Sequence, residues 1–409
     1  MTKKEARGKL KMMTEKERKI KELLTKGVEE VIEKDSLRRK LNSGKRLRIK
    51  HGVDPTTTDL QLGYAVVYEK LRQFQDLGHK VIFLIGDFTG RFGDPTDKNS
   101  ARKMRERDVV RGMAKNYLRQ ATKILKKNNL EVRYNSEWFD KMSAEDLLKL
   151  MSYFTTRRIL ERDMFQEREK RGLEIGLHEP VYPVLQAYDS VALKADVEVG
   201  GSDQLFNCLK GRELQKKFNQ PPQDVLTTKL LIGTDGKEKM SQSLGNYIGI
   251  EEKPSEQYGK VMSIPDSLII HYFKLVTRVS LEEIGQWEKM LKNKKIPPQI
   301  LKKKLAREII SIYHGKGAAR KAEDEFNRVF KEKKLPSKIS EVKIKEKKLG
   351  LLDLLVKTKM ALSKSGAKRL VVQGGVKING KTQGDWRKTV DIKKGMVLRV
   401  GRRKFLKIK

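Results

Sequence analysis

The spacing of apolar residues changes period several times along the 409-residue chain, and each period predicts a different element. IKELLTKGVEEVIEKDSLRRKL sets single apolar positions among charges, which predicts one or two surface helices near the N-terminus. RLRIKHGVDP reads as a strand running into a loop. YAVVYEKLRQFQDLG has helical spacing and closes on Gly78. KVIFLIGDF is a continuous apolar run, the mark of a strand buried on both faces. Strand, helix and strand at this spacing form a βαβ unit, so the sheet is expected to be parallel. ADVEVGG predicts another buried strand, and KLLIGTDG a short apolar one. Between them, VVRGMAKNYLRQATKILKKN and SAEDLLKLMSYFTTRRILERDMF read as long helical stretches.

After Lys239 the pattern becomes helical through 254–333, with breaks at Ile264-Pro265-Asp266 and Pro297-Pro298. SLEEIGQWEKML opens with a serine and carries Glu283 three residues on, the signature of a capping box. Residues 331–349 read as a Lys-rich linker. LGLLDLLVKTKMALSKSGAKRLVVQGG then predicts two helices, and VKINGKTQGDW, TVDI and MVLRVGRRKFLKI predict short strands with Asn-Gly and Gly turns. The expected class is α/β with a parallel sheet, followed by an all-helical domain and a small α+β domain. No repeat of 20–50 residues is visible.

Charge adds a partner to this picture. The net charge is +38, and residues 331–409 alone contribute +19 from 25 Lys/Arg and 6 Asp/Glu. Such a tail attracts phosphate backbones by counterion release. No apolar run reaches the ~18 residues of a transmembrane helix, and the N-terminus lacks the apolar core of a secretory signal. Cys208 is the only cysteine, and the five histidines show no metal-ligand spacing. These features predict a soluble, cytoplasmic, multidomain protein with a polyanionic partner and no resident metal.

Four segments carry candidate chemistry. His51-Gly52-Val53-Asp54-Pro55-Thr56, followed by Gln61 and Gly63, joins a strand to a helix N-terminus, which suits an anion or an ordinary capped turn. Asp94, with Lys98 and Arg102 beyond it, follows a buried strand where open α/β sheets bind ligands, although a solvated loop has the same composition. Tyr182, Gln186 and Asp189 share one helical face, able to bind a polar small molecule or to satisfy one another; Asp203 and Gln204 follow the next strand. Lys239-Met240-Ser241-Gln242-Ser243-Leu244-Gly245-Asn246 is a polar loop of the kind that closes over phosphates, or a plain surface loop.

Taken together and in order, VDPTTTDLQLGY, GDFTGRFGDPTDK, YPVLQAYDSVALKADVEVGGSDQLFN and DGKEKMSQSLGNYIGI resemble the tyrosyl-tRNA synthetases over roughly residues 20–330. The tail from about 350 resembles the S-four-type RNA-binding domain of bacterial members. The resemblance implies a Rossmann-like catalytic domain with a helical connective insertion over 1–232. It further implies a signature loop and helical anticodon-recognition domain over 233–333, a basic linker over 334–349 and an RNA-binding domain over 350–409. It implies activation of L-tyrosine by ATP, with Mg²⁺ on the phosphates, transfer to tRNA(Tyr), and a homodimer formed through the insertion. By the same resemblance, Thr56, Gln61, Lys98, Arg102, Lys239 and Gln242 serve catalysis. Asp94, Tyr182, Gln186, Asp189 and Gln204 bind tyrosine, with Asp189 on the phenol hydroxyl and Asp94 on the ammonium. Gly52, Asp54, Gly63 and Asp203 line the nucleotide site. In the tail, Lys364, Lys368, Arg369, Lys377, Arg402 and Arg403 are the expected RNA contacts. The chain departs from the family pattern at Gln61 and Tyr64, where histidines are usual, at Gln242, usually lysine, and at Lys50, where some members carry tyrosine. A second reading is therefore a catalytically degenerate, synthetase-like RNA-binding protein.

Overall fold

The computed structural model describes residues 13–55, 59–94, 104–332, 334–337, 339–401 and 404–409. Thr56, Lys98, Arg102, Arg402 and Arg403 lie outside the described residues. The chain divides into two compact units at Ala319/Arg320.

The first unit is built on a six-stranded sheet of β1 (Val28–Ile32), β2 (Arg48–Val53), β3 (Lys80–Ile85), β4 (Leu130–Tyr134), β5 (Val197–Gly201) and β6 (Asp224–Thr228). The strand order is β1-β6-β5-β2-β3-β4. All neighbours are parallel except β1, which runs antiparallel to β6. The expected α/β class with a parallel sheet is thus present. In β3, Val81 to Ile85 are buried without interruption, as a strand covered on both faces requires. The chain travels from β2 out to β3 and β4, then returns to place β5 on the other side of β2. Order reverses at β2/β5, and a crevice opens there at the carboxyl ends of the strands.

The register shows where the crevice begins. β2 pairs with β3 through six residues but with β5 through only Ile49↔Val197 and Lys50↔Glu198. That last pair is also a salt bridge of 2.9 Å between side chains only 0% and 3% exposed. Beyond it the β2–β5 ladder stops, and His51 Nδ1 meets the Val199 carbonyl at 2.9 Å instead.

Several elements differ from the sequence-based expectations. The opening segment is not purely helical: β1 lies between helices Glu15–Leu23 and Lys34–Asn42, because β6 offers VEEVI a partner. KLLIGTDG is not a strand. The strand precedes it as β6, and only Ile232 and Lys239 form a bridge. The Ile232 backbone is taken up elsewhere, its N–H donating to His271 Nε2 and its carbonyl accepting from the Tyr272 hydroxyl at 2.7 Å. The long stretch from Ser143 breaks into Ala144–Met151, Thr156–Leu160 and Asp163–Lys170, with Ser143 and Thr155 capping the first two. Helices Pro254–Ser263, Ile269–Val276, Leu281–Lys292 and Pro298–His314 follow, with breaks at the prolines as expected. The capping box at Ser280 is half made: Ser280 accepts from the Glu283 N–H, while the Glu283 carboxylate accepts from Lys304.

The second unit packs helices Leu351–Lys357 and Lys364–Val372 with a five-stranded and a two-stranded sheet around Leu351, Leu354, Leu355, Val371, Val376 and Leu398. The stretch expected as a linker contributes strands of its own. Ser340–Val342 pairs with Lys404–Ile408, and Lys348–Gly350 with Thr389–Asp391. Asn379 and Gly380, both at positive φ (49° and 82°), make the two-residue hairpin turn that Asn-Gly predicts. Lys364, Lys368 and Arg369 are exposed on their helix, and Lys377 is half-buried on its strand.

Candidate active site

At the β2/β5 switch lies a cleft of about 520 Å³. Its walls come from the ends of β2, β3 and β5, the start of helix Leu62–Asp76, helix Val181–Leu193 and the loop after Lys239. Every described position expected for catalysis, tyrosine or nucleotide lines it: Gly52, Asp54, Gln61, Gly63, Asp94, Tyr182, Gln186, Asp189, Asp203, Gln204, Lys239 and Gln242. Segments nearly two hundred residues apart in sequence therefore share one cavity.

Three carboxylates organise one wall. Asp54, at the end of β2, accepts from the Thr89 hydroxyl and from the Tyr182 hydroxyl, each at 2.9 Å. The nucleotide-side and amino-acid-side candidates are therefore directly joined. Gly86 makes the Thr89 contact possible, since a Cβ there would collide with Asp54 Oδ1 and Thr89 Oγ1. Asp94 is held by both terminal guanidinium nitrogens of Arg162, at 2.8 and 3.1 Å, and by Gln204 Nε2 at 2.9 Å. Its charge is already matched by a buried cation, which the expectation for Asp94 did not include. Asp189, 4% exposed, accepts from Trp138 Nε1 at 3.0 Å. Burial pushes the Asp189 carboxyl up to about 7, against the opposing pull of the Lys50 ammonium and the Trp138 N–H.

Beneath this wall sits the Lys50–Glu198 pair. Lys50 Nζ also donates to Ser190 Oγ at 2.7 Å and to the Gln186 carbonyl at 3.0 Å. Glu198 accepts from Gln186, Ser190 and Gln223. Burial raises the Glu198 carboxyl, but the Lys50 charge and these hydrogen bonds outweigh it and hold Glu198 below its ordinary value. The Gln186 amide is thereby oriented, with its oxygen accepting from Asn207 at 2.8 Å. The Tyr182 hydroxyl is kept protonated by burial and by the Asp54 carboxylate beside it.

The opposite wall is the polar loop, and two glutamines bind it to the first helix. Gln61 caps that helix by accepting from the Gly63 N–H, and its Nε2 donates to the Met240 carbonyl at 3.1 Å. A Cβ at Gly63 would lie 2.7 Å from Gln61 Oε1, so a larger residue there would push this side chain off its cap. Gln242 Nε2 in return donates to the Asp59 carbonyl at 2.7 Å. Backbone bonds from Leu62 to Ile248 and from Ile250 to Leu60 extend the seam. Within the loop, buried Asn246 accepts from the Ser241 N–H and donates to Asp235 and the Lys239 carbonyl. Both glutamines therefore direct one amide N–H to main chain.

The sequence reading missed Trp138, Arg162 and Asn207, which reach the site from other elements, and gave Asn246 no role within its loop. It named Lys50 but not its partner. A signal existed: RIKHGV and VEVGG each place one charged residue inside a buried strand, where only a paired charge is tolerated. Among the described residues, no group of three His, Cys, Asp or Glu side chains is arranged to hold a metal ion.

Two family models match the chain in succession. The model of class I tRNA synthetases for tryptophan and tyrosine matches residues 42–331. The model of the tyrosine–tRNA ligase SYY-like C-terminal domain matches residues 331–408. The chain is 48% identical to the tyrosine–tRNA ligase of Thermotoga maritima, over 94% of this chain and 96% of that protein. It is 44% identical to that of Dehalococcoides mccartyi, over 97% and 100%. The crystal structure of the Archaeoglobus fulgidus tyrosyl-tRNA synthetase complexed with L-tyrosine shares the fold, with a TM-score of 0.60 at 23% identity over 74% of this chain and 98% of that one.

The Asp189 assignment yields a ligand-free test. Its folded-state pKa near 7 lies above the unfolded carboxylate value of ~3.9, so the folded protein binds the extra proton. Its contribution to stability is present below the unfolded value and is lost as pH rises through about 7. Trp138 fluorescence is expected to titrate with a midpoint near 7, and Asp189→Asn to abolish that titration. A midpoint unchanged in Asp189→Asn contradicts the assignment.

Proposed function

The chain belongs to the class I tRNA synthetases for tryptophan and tyrosine, and from that membership we propose the following reading of its site. The protein is a tyrosine–tRNA ligase that activates L-tyrosine with ATP and transfers it to tRNA(Tyr). The observation that carries the residue assignments is the single cleft into which Tyr182, Gln186, Asp189 and Gln204 converge with Lys239.

In the first step a tyrosine carboxylate oxygen attacks the α-phosphorus of ATP. The bond to the bridging oxygen breaks, and pyrophosphate leaves with the electron pair. In the second, the terminal ribose hydroxyl of the tRNA attacks the acyl carbon, loses its proton, and AMP departs. Asp189, at the deep end, accepts the phenol hydroxyl. Tyr182 and Gln186 contact the ammonium end, with Asp94 supplying the negative charge it shares with Arg162. Gln204 lies towards the carboxylate. Gly52 and Gly63 leave room for the nucleotide, Asp203 takes the ribose and Lys239 the phosphates. Mg²⁺ travels with those phosphates and offsets part of their charge, in keeping with its preference for few protein ligands. Catalysis in this scheme is positioning and charge stabilisation.

A site that hydrogen-bonds a substrate hydroxyl rejects the analogue lacking it by ~10⁴–10⁵. Phenylalanine is therefore expected to fail in tyrosine-dependent pyrophosphate exchange. Asp189→Ala should lose most of that discrimination with ATP affinity little changed, and Lys239→Ala should slow exchange without relaxing amino-acid choice. Equal binding of tyrosine and phenylalanine by calorimetry would refute the pocket. Selective tyrosine binding without exchange instead supports the degenerate RNA-binding reading, which the uncharged Gln61 and Gln242 favour.

The second unit is read as the tRNA-binding accessory, with Lys364, Lys368, Arg369 and Lys377 as contacts. Deleting 350–409 would strip partners from the strands at Ser340–Val342 and Lys348–Gly350, so point substitution is the cleaner test. Replacing Lys364, Lys368 and Arg369 together by alanine should weaken tRNA binding and lower the log–log salt slope by about 2–3, near one unit per lost phosphate contact. An unchanged slope removes this face from the RNA interface.

A homodimer through the connective insertion completes the reading. Leu148 (67% exposed) and Met151 (36%) stand on helix Ala144–Met151 among charged neighbours, apolar surface that pairing would cover. Light scattering is expected to give twice the chain mass at micromolar concentration, and Leu148→Glu to shift it towards the monomer. A monomer mass for the parent protein rules the dimer out.

A further inference from the structure

Binding ATP requires cations against the phosphate chain, and the described walls of the cleft offer few. Among the described lining residues, the lysine and arginine side chains are those of Lys239 and Arg105. His51 is no substitute. It is buried with Nδ1 on the Val199 carbonyl, and burial lowers its pKa, so it stays neutral. Gln61 and Gln242 bring no charge, and each directs one amide N–H to main chain, Gln61 to the Met240 carbonyl and Gln242 to the Asp59 carbonyl.

Arg105 has the geometry of an anchored but unused cation. Its backbone N–H donates to the Arg91 carbonyl at 2.9 Å, and Arg91 Nε donates back to the Arg105 carbonyl at 3.2 Å. Arg91 closes the short turn Thr89–Arg91 that follows β3, so this pairing fixes residue 105 beside the carboxyl end of the sheet. The side chain lines the cleft, where its Nη1 is buried with no hydrogen-bond partner. A buried guanidinium N–H left unpaired is costly, and a bound anion would remove that cost. Two of the carboxylates lining the same cleft have other partners: Asp54 has Thr89 and Tyr182, and Asp94 has Arg162 and Gln204. A planar guanidinium also suits phosphate oxygens in particular.

We propose that Arg105 binds the phosphate chain of ATP and the departing pyrophosphate, supplying the positive charge that Gln61 and Gln242 do not. The inference rests on the reading of the cleft as the ATP site. Nothing in the sequence marks Arg105, which stands in the run ARKMRERDVVRG among other cations. Among the described cations of that run, Arg105 lines the cleft and Arg107 and Arg111 do not.

The test uses the full chain, with Arg105→Ala, Arg105→Gln and Arg105→Lys. Calorimetry compares ATP with adenosine, which lacks phosphates, and with tyrosine. Tyrosine-dependent pyrophosphate exchange gives kcat and KM for ATP. Loss of one such contact is expected to lower kcat/KM for ATP about 100-fold in the alanine and glutamine variants. ATP affinity should fall at least ~10-fold, adenosine and tyrosine affinities should hold within ~2-fold, and lysine should recover part of the loss. Exchange and ATP affinity at parental levels in Arg105→Gln would overturn the proposal. An equal loss of adenosine and tyrosine binding would do so too, because it marks a structural role. If the parent protein shows no exchange, the ligase reading fails by itself. The ATP-against-adenosine comparison still decides Arg105: a selective loss of ATP affinity upholds it, and no loss, or no ATP binding by the parent, sinks it.

Discussion

The ion pair between Lys50 and Glu198 is the constraint on which the site depends. It joins β2 to β5 at the last rung before their ladder ends. A buried charge pair of this kind rarely adds much net stability, because desolvating both ions offsets most of their attraction. Its value here is positional. Breaking one partner would leave the other charged and unpaired, a cost of roughly 3–5 kcal/mol, so the two strands cannot slip relative to each other. Everything above the pair inherits that register. Lys50 and Glu198 hold Gln186 and Ser190 on the helix that also carries Tyr182 and Asp189.

The same pair sets the electrostatics of the cavity. Asp189 is buried deeply enough to titrate near neutrality, yet the Lys50 charge below it keeps the anion accessible. A carboxyl poised in this way can accept a substrate hydroxyl at physiological pH without a permanent counter-ion of its own. Asp94 is handled differently. Arg162, the residue before helix Asp163–Lys170, neutralises it directly. Of the wall's three carboxylates, Asp94 has its charge matched by Arg162, while the lysine and arginine among the described lining residues are Lys239 and Arg105.

Gln61 and Gln242 show how substitution at signature positions can preserve architecture while changing chemistry. Each amide reaches the backbone of the opposite segment, so the loop after Lys239 stays attached to the first helix. A neutral amide can hold a carbonyl but cannot stabilise developing negative charge as a cation does. The burden of charge in the cleft therefore moves to Lys239 and Arg105 among the described residues.

Much of this protein was legible before its structure. The apolar run of β3 and the helical spacing before Gly78 dictate a parallel α/β unit, because continuous burial and a crossover helix admit few other arrangements. The spacing within YPVLQAYDS put Tyr182, Gln186 and Asp189 on one face, and the Asn-Gly pair set its hairpin, since both follow from local periodicity and backbone sterics. Partners distant in sequence were decided by tertiary structure alone. β1 is a strand because β6 offers its backbone a partner, and Ile232 is no strand residue because His271 and Tyr272 take its polar groups. Trp138 on Asp189, Arg162 on Asp94 and Arg105 in the cleft lie on elements with no sequence relation to the carboxylates or phosphates they serve. Local pattern determines which face a side chain shares with its near neighbours. Only the folded chain determines which distant charge or hydrogen-bonding group arrives opposite it.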